Sequence, residues 1–208
     1  MIQASACGTD LILRRAATEQ TRRDRSFGQA HRLAFVHVPG PLSFDPINEA
    51  RRQWDEHWGD PATASMAAVT SIMRAQQIVM ARLNELLAPF GLTFPRYEAL
   101  MLLFYSRKGE LPLGKISDRL QVHRASVTNV VDKLADSGYV DRVGHAQDRR
   151  AVLARITKDG KRVARHATKR LNAAGFGMEP LDPAACDALY VAMTPLRLAA
   201  GDFAEPSS

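Results

Sequence analysis

The sequence holds two cysteines in 208 residues, Cys7 and Cys186, and 179 positions separate them. That distance excludes the short Cys-x-x-Cys spacings of zinc ribbons and thioredoxin-like redox pairs. They read as buried or idle thiols; the other use of such a residue is as an exposed, oxidisable switch. Long apolar runs are missing too. Stretches such as Leu100–Tyr105 and Ala151–Ala154 fall far short of the ~20 residues that span a bilayer. Near the start, Leu11–Leu13 is followed by Arg14-Arg15 where a signal peptide would stay apolar, and Arg22-Arg23 likewise lacks an apolar region behind it. These absences predict a cytoplasmic protein that does not engage a membrane. The six histidines (His31, His37, His57, His123, His145, His166) show no His-x-x-x-His or Glu-flanked spacing, which predicts no metal site. The chain also has no Gly-rich phosphate loop, no Ser-elbow motif and no His/acid cluster at workable spacing. It is therefore expected to have no catalytic activity and no cofactor.

What the chain does have is basic charge in one place. Its net charge is +6, yet residues 111–170 hold fourteen Lys or Arg against six Asp or Glu, and residues 1–35 hold six against three. The remainder carries eight against thirteen and is acidic. A basic block inside an otherwise acidic protein suits a partner made of phosphates. By itself a charged stretch is also what any solvated helix shows, so the pattern of the block decides.

Residues 1–44 lack a sustained period and end in Val38-Pro39-Gly40-Pro41, which predicts a poorly ordered extension. Asp45-Pro46 reads as an N-cap followed by a first-turn proline, opening a helix to about Trp58. A longer helix follows over 63–88. Its apolar residues Met66, Val69, Met73, Met80, Leu83 and Leu87 recur at helical steps, with Ile72, Val79 and Leu86 beside them. That stripe is wider than one small lobe needs to dock a helix. Pro89-Phe90-Gly91 ends it, Thr93 is placed to cap the next helix, and Leu100–Tyr105 predicts deep burial before a stop at Lys108-Gly109.

After Pro112 the elements shorten. Leu113–Leu120 predicts a brief helix with Ile116 and Leu120 inward, and Val122-His123 a turn. Arg124–Ser137 predicts a second helix with Val127, Val130, Val131 and Leu134 buried, closed by Gly138. Two short helices around a tight turn form a helix-turn-helix pattern. Tyr139–Val143 and Arg150–Ile156 then read as strands joined by the polar turn Gly144–Asp148, a hairpin with a charged tip. Thr157 caps a helix over Lys158–Ala174 with Lys and Arg on most faces, and Gly175-Phe176-Gly177 breaks it. Leu181-Asp182-Pro183 opens a last helix with Leu189, Ala192, Met193, Leu196 and Ala200 on one side and a kink at Pro195.

A helix that enters the major groove needs donors and acceptors on its exposed side. Arg124, Ser126, Thr128, Asn129 and Lys133 supply them: Asn bonds adenine bidentately, Arg reads guanine or neutralises phosphate, and Ser and Thr bond either. At the hairpin tip, Asp148 can orient one of two cations, Arg149 and Arg150, and an arginine on a protruding ribbon suits a narrow minor groove. The candidate DNA-binding set is therefore Arg124, Ser126, Thr128, Asn129, Lys133, Asp148, Arg149 and Arg150.

The run Ser126–Leu134, then Gly138-Tyr139-Val140, Asp148-Arg149-Arg150 and Ile156–Gly160, resembles the MarR family of bacterial regulators. Leu87–Tyr97 and Leu113–Ile116 match that family's phrasing as well, so the likeness extends over about Thr63–Phe203. The fold class it implies is mainly α with a small β-hairpin wing, a winged helix-turn-helix lobe beside a helical dimerisation region. The division is a 1–44 extension, a 45–203 domain and a 204–208 tail. Within the domain, 63–92 and 175–203 are dimerisation helices and 93–174 the lobe with its linking helix. The resemblance implies a homodimer on a near-palindromic operator of double-stranded DNA, acting as a repressor relieved by a stress signal or a small phenolic or lipophilic effector. Trp54, Trp58, Phe104 and Tyr105 are candidates to line an effector pocket, with aromatic core packing the ordinary role for most of them. Asn129 stands where many relatives carry Arg, so base preference does not carry over. The rival reading is a winged helix used for protein–protein contact, which predicts cations lost from the wing and second helix; the sequence has the reverse.

Overall fold

The computed structural model describes residues 41–59, 61–144 and 152–204, in two units that divide after Thr63. The expected poorly ordered extension falls mostly on residues 1–40, outside the described residues, as do Cys7 and the wing-tip residues Asp148, Arg149 and Arg150.

The first unit contributes helix α1, Pro46–Trp58. The Asp45 carboxylate accepts the Ile47 amide at 2.9 Å, a proline occupies the first turn, and Gly59 ends the helix at φ 55°. These are the predicted start and stop. Its two tryptophans, Trp54 and Trp58, lie 6.3 Å apart and are exposed.

In the second unit the order is α2 (Thr63–Leu87), α3 (Phe94–Tyr105), β1 (Glu110–Pro112), α4 (Leu113–Leu120), α5 (Arg124–Asp136), β2 (Val140–Gly144), β3 (Val152–Ile156), α6 (Lys158–Ala173) and α7 (Pro183–Ala199). Short 3-10 turns at Ala88–Phe90 and Gly175–Gly177 follow α2 and α6. The expected two-stranded wing is part of a three-stranded antiparallel sheet in the order β1-β3-β2. Strand β1 is three residues long and ends in proline, too short to show a period of two; Glu110 faces Arg155, with an ion pair at 2.7 Å.

The core lies where α3, α4, α5, α6 and the sheet meet. Leu100, Leu103, Ile116, Val131, Ala154, Ala164, Ala167 and Leu171 have no exposed surface. On α6 the buried residues Gly160, Val163, Ala164, Ala167 and Leu171 make one face, leaving its cations on the rest. Glycine at 160 is obligatory: a Cβ there would overlap the carbonyl oxygen of Tyr139. The helix therefore starts tight against the end of the Gly138–Val140 turn. Thr157 secures that start, accepting the Gly160 amide at 3.0 Å and donating to the Gly138 carbonyl at 2.8 Å.

Two expectations are corrected. Tyr105 is 74% exposed although Leu100–Leu103 is largely buried, because five residues of helix turn it well away from Leu100. Thr93 occupies the N-cap of α3 without a capping bond from its side chain; the Asn84 side chain on α2 accepts the Phe94 amide instead, at 2.9 Å. Pro195 lies inside α7 without ending it. Among the described residues, no helix is long and apolar enough to cross a membrane.

Candidate nucleic-acid interface

Helices α4 and α5 are joined by the turn expected at Val122-His123, but its backbone holds a conformation the sequence does not advertise. Gln121 adopts a left-handed backbone at φ 53°, a conformation usually left to glycine. Two hydrogen bonds hold it: the Val122 amide donates to the Ser117 carbonyl at 3.3 Å, and the Ser117 hydroxyl donates to the Val122 carbonyl at 2.6 Å. Ser117 is the one buried polar residue among those described. Its buried hydroxyl finds its partner in that carbonyl. His123 then caps α5, its ring nitrogen accepting the Ala125 amide at 3.3 Å.

Val127, Val131 and Leu134 bury one face of α5 as predicted, and Val130 is half-buried. On the other face Arg124, Ser126, Asn129 and Lys133 are exposed together. Thr128 is half-buried and its hydroxyl donates to the Arg124 carbonyl at 3.1 Å. Lys133 has Asp136 at 3.2 Å on the same helix. The Arg124 guanidinium reaches back over Gly114 at the start of α4. The structure thus brings five of the eight sequence-predicted residues onto one helix, four of them exposed. The other three, Asp148, Arg149 and Arg150, lie in the segment outside the described residues that connects β2 to β3. The strands on either side are in register, with Val140 opposite Ile156 and Gly144 opposite Val152.

One contact in this lobe was not foreseen. Asp132, one turn beyond Asn129 on α5, forms an ion pair with Arg142 on β2. The residues are ten apart in different elements, so no helical or strand period pairs them.

A cavity of about 320 Å³ opens between α3 and α6. Met101, Phe104 and Tyr105 line it from α3, and Arg165, Thr168, Lys169 and Asn172 from α6. The Arg165 guanidinium sits 5.5 Å from the centre of the Phe104 ring, a cation–π distance. Thr168 is held by Tyr97, oxygen to oxygen at 3.0 Å. Of the aromatics expected at a pocket, Phe104 and Tyr105 line this one; Trp54 and Trp58 belong to the other unit. On α3, burial pushes the Glu98 carboxyl above the usual range.

Fold and sequence agree with known proteins at this point. Residues 92–152 match the MarR family. The crystal structure of Sco5413, a MarR family transcriptional regulator from Streptomyces coelicolor, is 48% identical and superposes with a TM-score of 0.64, covering 68% of this chain and 99% of that one. The chain belongs to the MarR family. Among curated proteins, the MarR-like region is 32% identical to the HTH-type transcriptional regulator PrsX of Escherichia coli over 42% of this chain and 53% of that protein. It is 34% identical to the HTH-type transcriptional repressor YetL of Bacillus subtilis over 34% and 42% respectively. The chain thus spans about half the length of the curated relatives it matches. Those relatives are transcriptional regulators, not enzymes, and a MarR protein carrying this lobe is a DNA-binding winged helix-turn-helix regulator.

Proposed function

We propose that two copies of this MarR chain seat their α5 helices in successive major grooves of a near-palindromic operator and repress transcription until a small effector binds. The observation that carries this reading is the polar row Arg124, Ser126, Asn129 and Lys133 on a helix whose opposite face is wholly engaged in the core. Such a helix can present base-reading groups without loosening its own packing. Asn129 is assigned to a base edge. Arg149 and Arg150, with Asp148 orienting one of them, are assigned to a groove edge or phosphate.

The second copy follows from the apolar surface of the terminal helices. Val69, Ile72 and Met73 on α2, and Leu189, Tyr190, Val191 and Leu196 on α7, are 40% exposed or more. Exposed apolar surface of that extent is what a partner covers. Repression is assigned because YetL bears that role and because a dimer lying across a promoter excludes polymerase without further contacts. The α3–α6 cavity suits the effector: its floor is aromatic, and Arg165 and Lys169 favour a ligand with an anionic group. Residues 1–44 are assigned no part in sequence discrimination.

The test is selection of duplexes from a random-sequence pool by the full chain, followed by titration against the recovered duplex and a scrambled one at several salt concentrations. An enriched inverted repeat with half-sites one helical turn apart is expected. Arg150→Ala should weaken binding to both duplexes alike and flatten the salt slope by roughly one unit. A pool that returns no enriched sequence overturns specific readout and leaves protein contact as the use of this lobe.

A further inference from the structure

We infer that Asp132 and Arg142 are positioning residues: their ion pair braces the wing against the recognition helix and sets the angle between the two DNA-facing elements. The inference rests on the proposal that α5 and the wing read one operator together.

Among the described residues, two ion pairs join different elements of this lobe. Arg155–Glu110 links β3 to β1, strands already held in register by backbone hydrogen bonds. Arg142–Asp132 links β2 to α5, which share no ladder; their buried residues Val140, Val131 and Leu134 belong to one core, and this ion pair is the side-chain bond between them at the surface. Its side chains are 38% and 45% exposed. At that exposure an ion pair adds little to stability, so its use is geometric. Arg142 sits directly across from Ala154 of β3, so whatever holds Arg142 also holds the central strand of the sheet. At the other end, Asp132 is three residues beyond Asn129, on the same side of α5. A carboxylate beside a base-reading residue repels phosphate unless neutralised, and Arg142 does that as well.

The charge makes the test decisive. Asp132→Ala adds one positive charge to a DNA-binding face and places the best helix former in the middle of a helix. Simple electrostatics therefore predicts tighter binding to every duplex. A brace predicts the opposite for the operator: about tenfold weaker binding to the duplex recovered from the pool, with the scrambled duplex unchanged or tighter, and hence a collapse of the ratio. Arg142→Ala should lower the ratio to a similar extent, and the double Ala variant no further, because the two act as one unit. The exchanged pair, Asp132→Arg with Arg142→Asp, should recover part of the discrimination at unchanged net charge. Melting curves of each variant confirm the fold, and Arg142→Lys serves if Arg142→Ala does not fold.

If Asp132→Ala tightens both duplexes equally, with the ratio intact and the salt slope steeper, Arg142 is a phosphate contact that Asp132 restrains, and the brace is wrong. Single variants that leave ratio and slope as in the parent overturn it also. A parent chain that selects no sequence at all is a different failure, that of operator reading itself.

Discussion

The winged helix-turn-helix lobe and the terminal helices use apolar residues in the same periodic way, but the two regions finish differently. In the lobe, Leu100, Ile116, Val131, Ala154 and Ala164 close on one another until none has exposed surface. Along α2 only Leu83 and Leu87, at the end nearest the lobe, are buried, and α7 buries no residue at all. Sequence periodicity marks both regions as core-forming. The lobe satisfies that pattern within one chain, and the terminal helices leave theirs exposed. Under the proposed dimer, the reading heads would stay rigid while an interface open to ligand control set their spacing.

The sharpest way to break this contrast is to charge the unsatisfied face. Leu189→Glu with Leu196→Glu would place two unpaired carboxylates in the proposed interface, at a cost of about 3–5 kcal/mol each. Sedimentation should then fall from about twice the 22.9 kDa chain mass to the monomer value, with the lobe still folded. A parent that already sediments as a monomer at micromolar concentration ends the dimer proposal. The complementary change lies inside the lobe. Leu100→Ala should lower unfolding free energy by about 2–5 kcal/mol, measured by denaturant titration and independent of added salt.

Smaller effects separate reading from folding within the lobe itself. Asn129→Ala should leave the melting temperature near the parent's but cost about 1–3 kcal/mol on the selected duplex, with much less change on scrambled DNA. Equal loss on both would place Asn129 at a phosphate. Ser117→Ala reverses that profile: losing the 2.6 Å bond to Val122 should reduce stability by about 1 kcal/mol through the helix-turn-helix turn.

The smallest prediction concerns Glu98, whose carboxyl burial pushes above the usual range. A raised carboxyl pKa favours the folded state only while the group is protonated, and that advantage is lost as pH rises through the folded value. At neutral pH the burial therefore opposes folding. Glu98→Gln should raise stability there by about 0.5 kcal/mol or less, discounted for partial exposure, and the gain should vanish near pH 3.

How far the site could be read in advance varies by residue. The exposed row on α5 was legible because a helical period places Ser126, Asn129 and Lys133 opposite Val127, Val131 and Leu134. Gly138 and Thr157 were legible from local chemistry: one takes a left-handed backbone at φ 72°, the other caps α6. The positive φ at Gln121 was not, since nothing in a glutamine announces one; local bonds between Ser117 and Val122 hold it. Strand β1 was hidden by its length, being a strand only because β3 lies beside it. The α3–α6 cavity was legible only in part: Phe104 and Tyr105 were named for a pocket, but the α6 side of its lining was not, since it belongs to neither helix alone.

Periodicity, caps and charge clustering are properties of neighbours along the chain. From them the sequence by itself determined the helix order, the buried face of the recognition helix and the basic block, and the resemblance of its motifs pointed to the family. Pairings between distant residues depend on which surfaces meet once the core has closed. The tertiary structure alone therefore decided the third strand, the Asp132–Arg142 contact, the Asn84 cap on α3 and the α6 side of the cavity. It alone also showed that the lobe completes its burial within one chain while α2 and α7 do not.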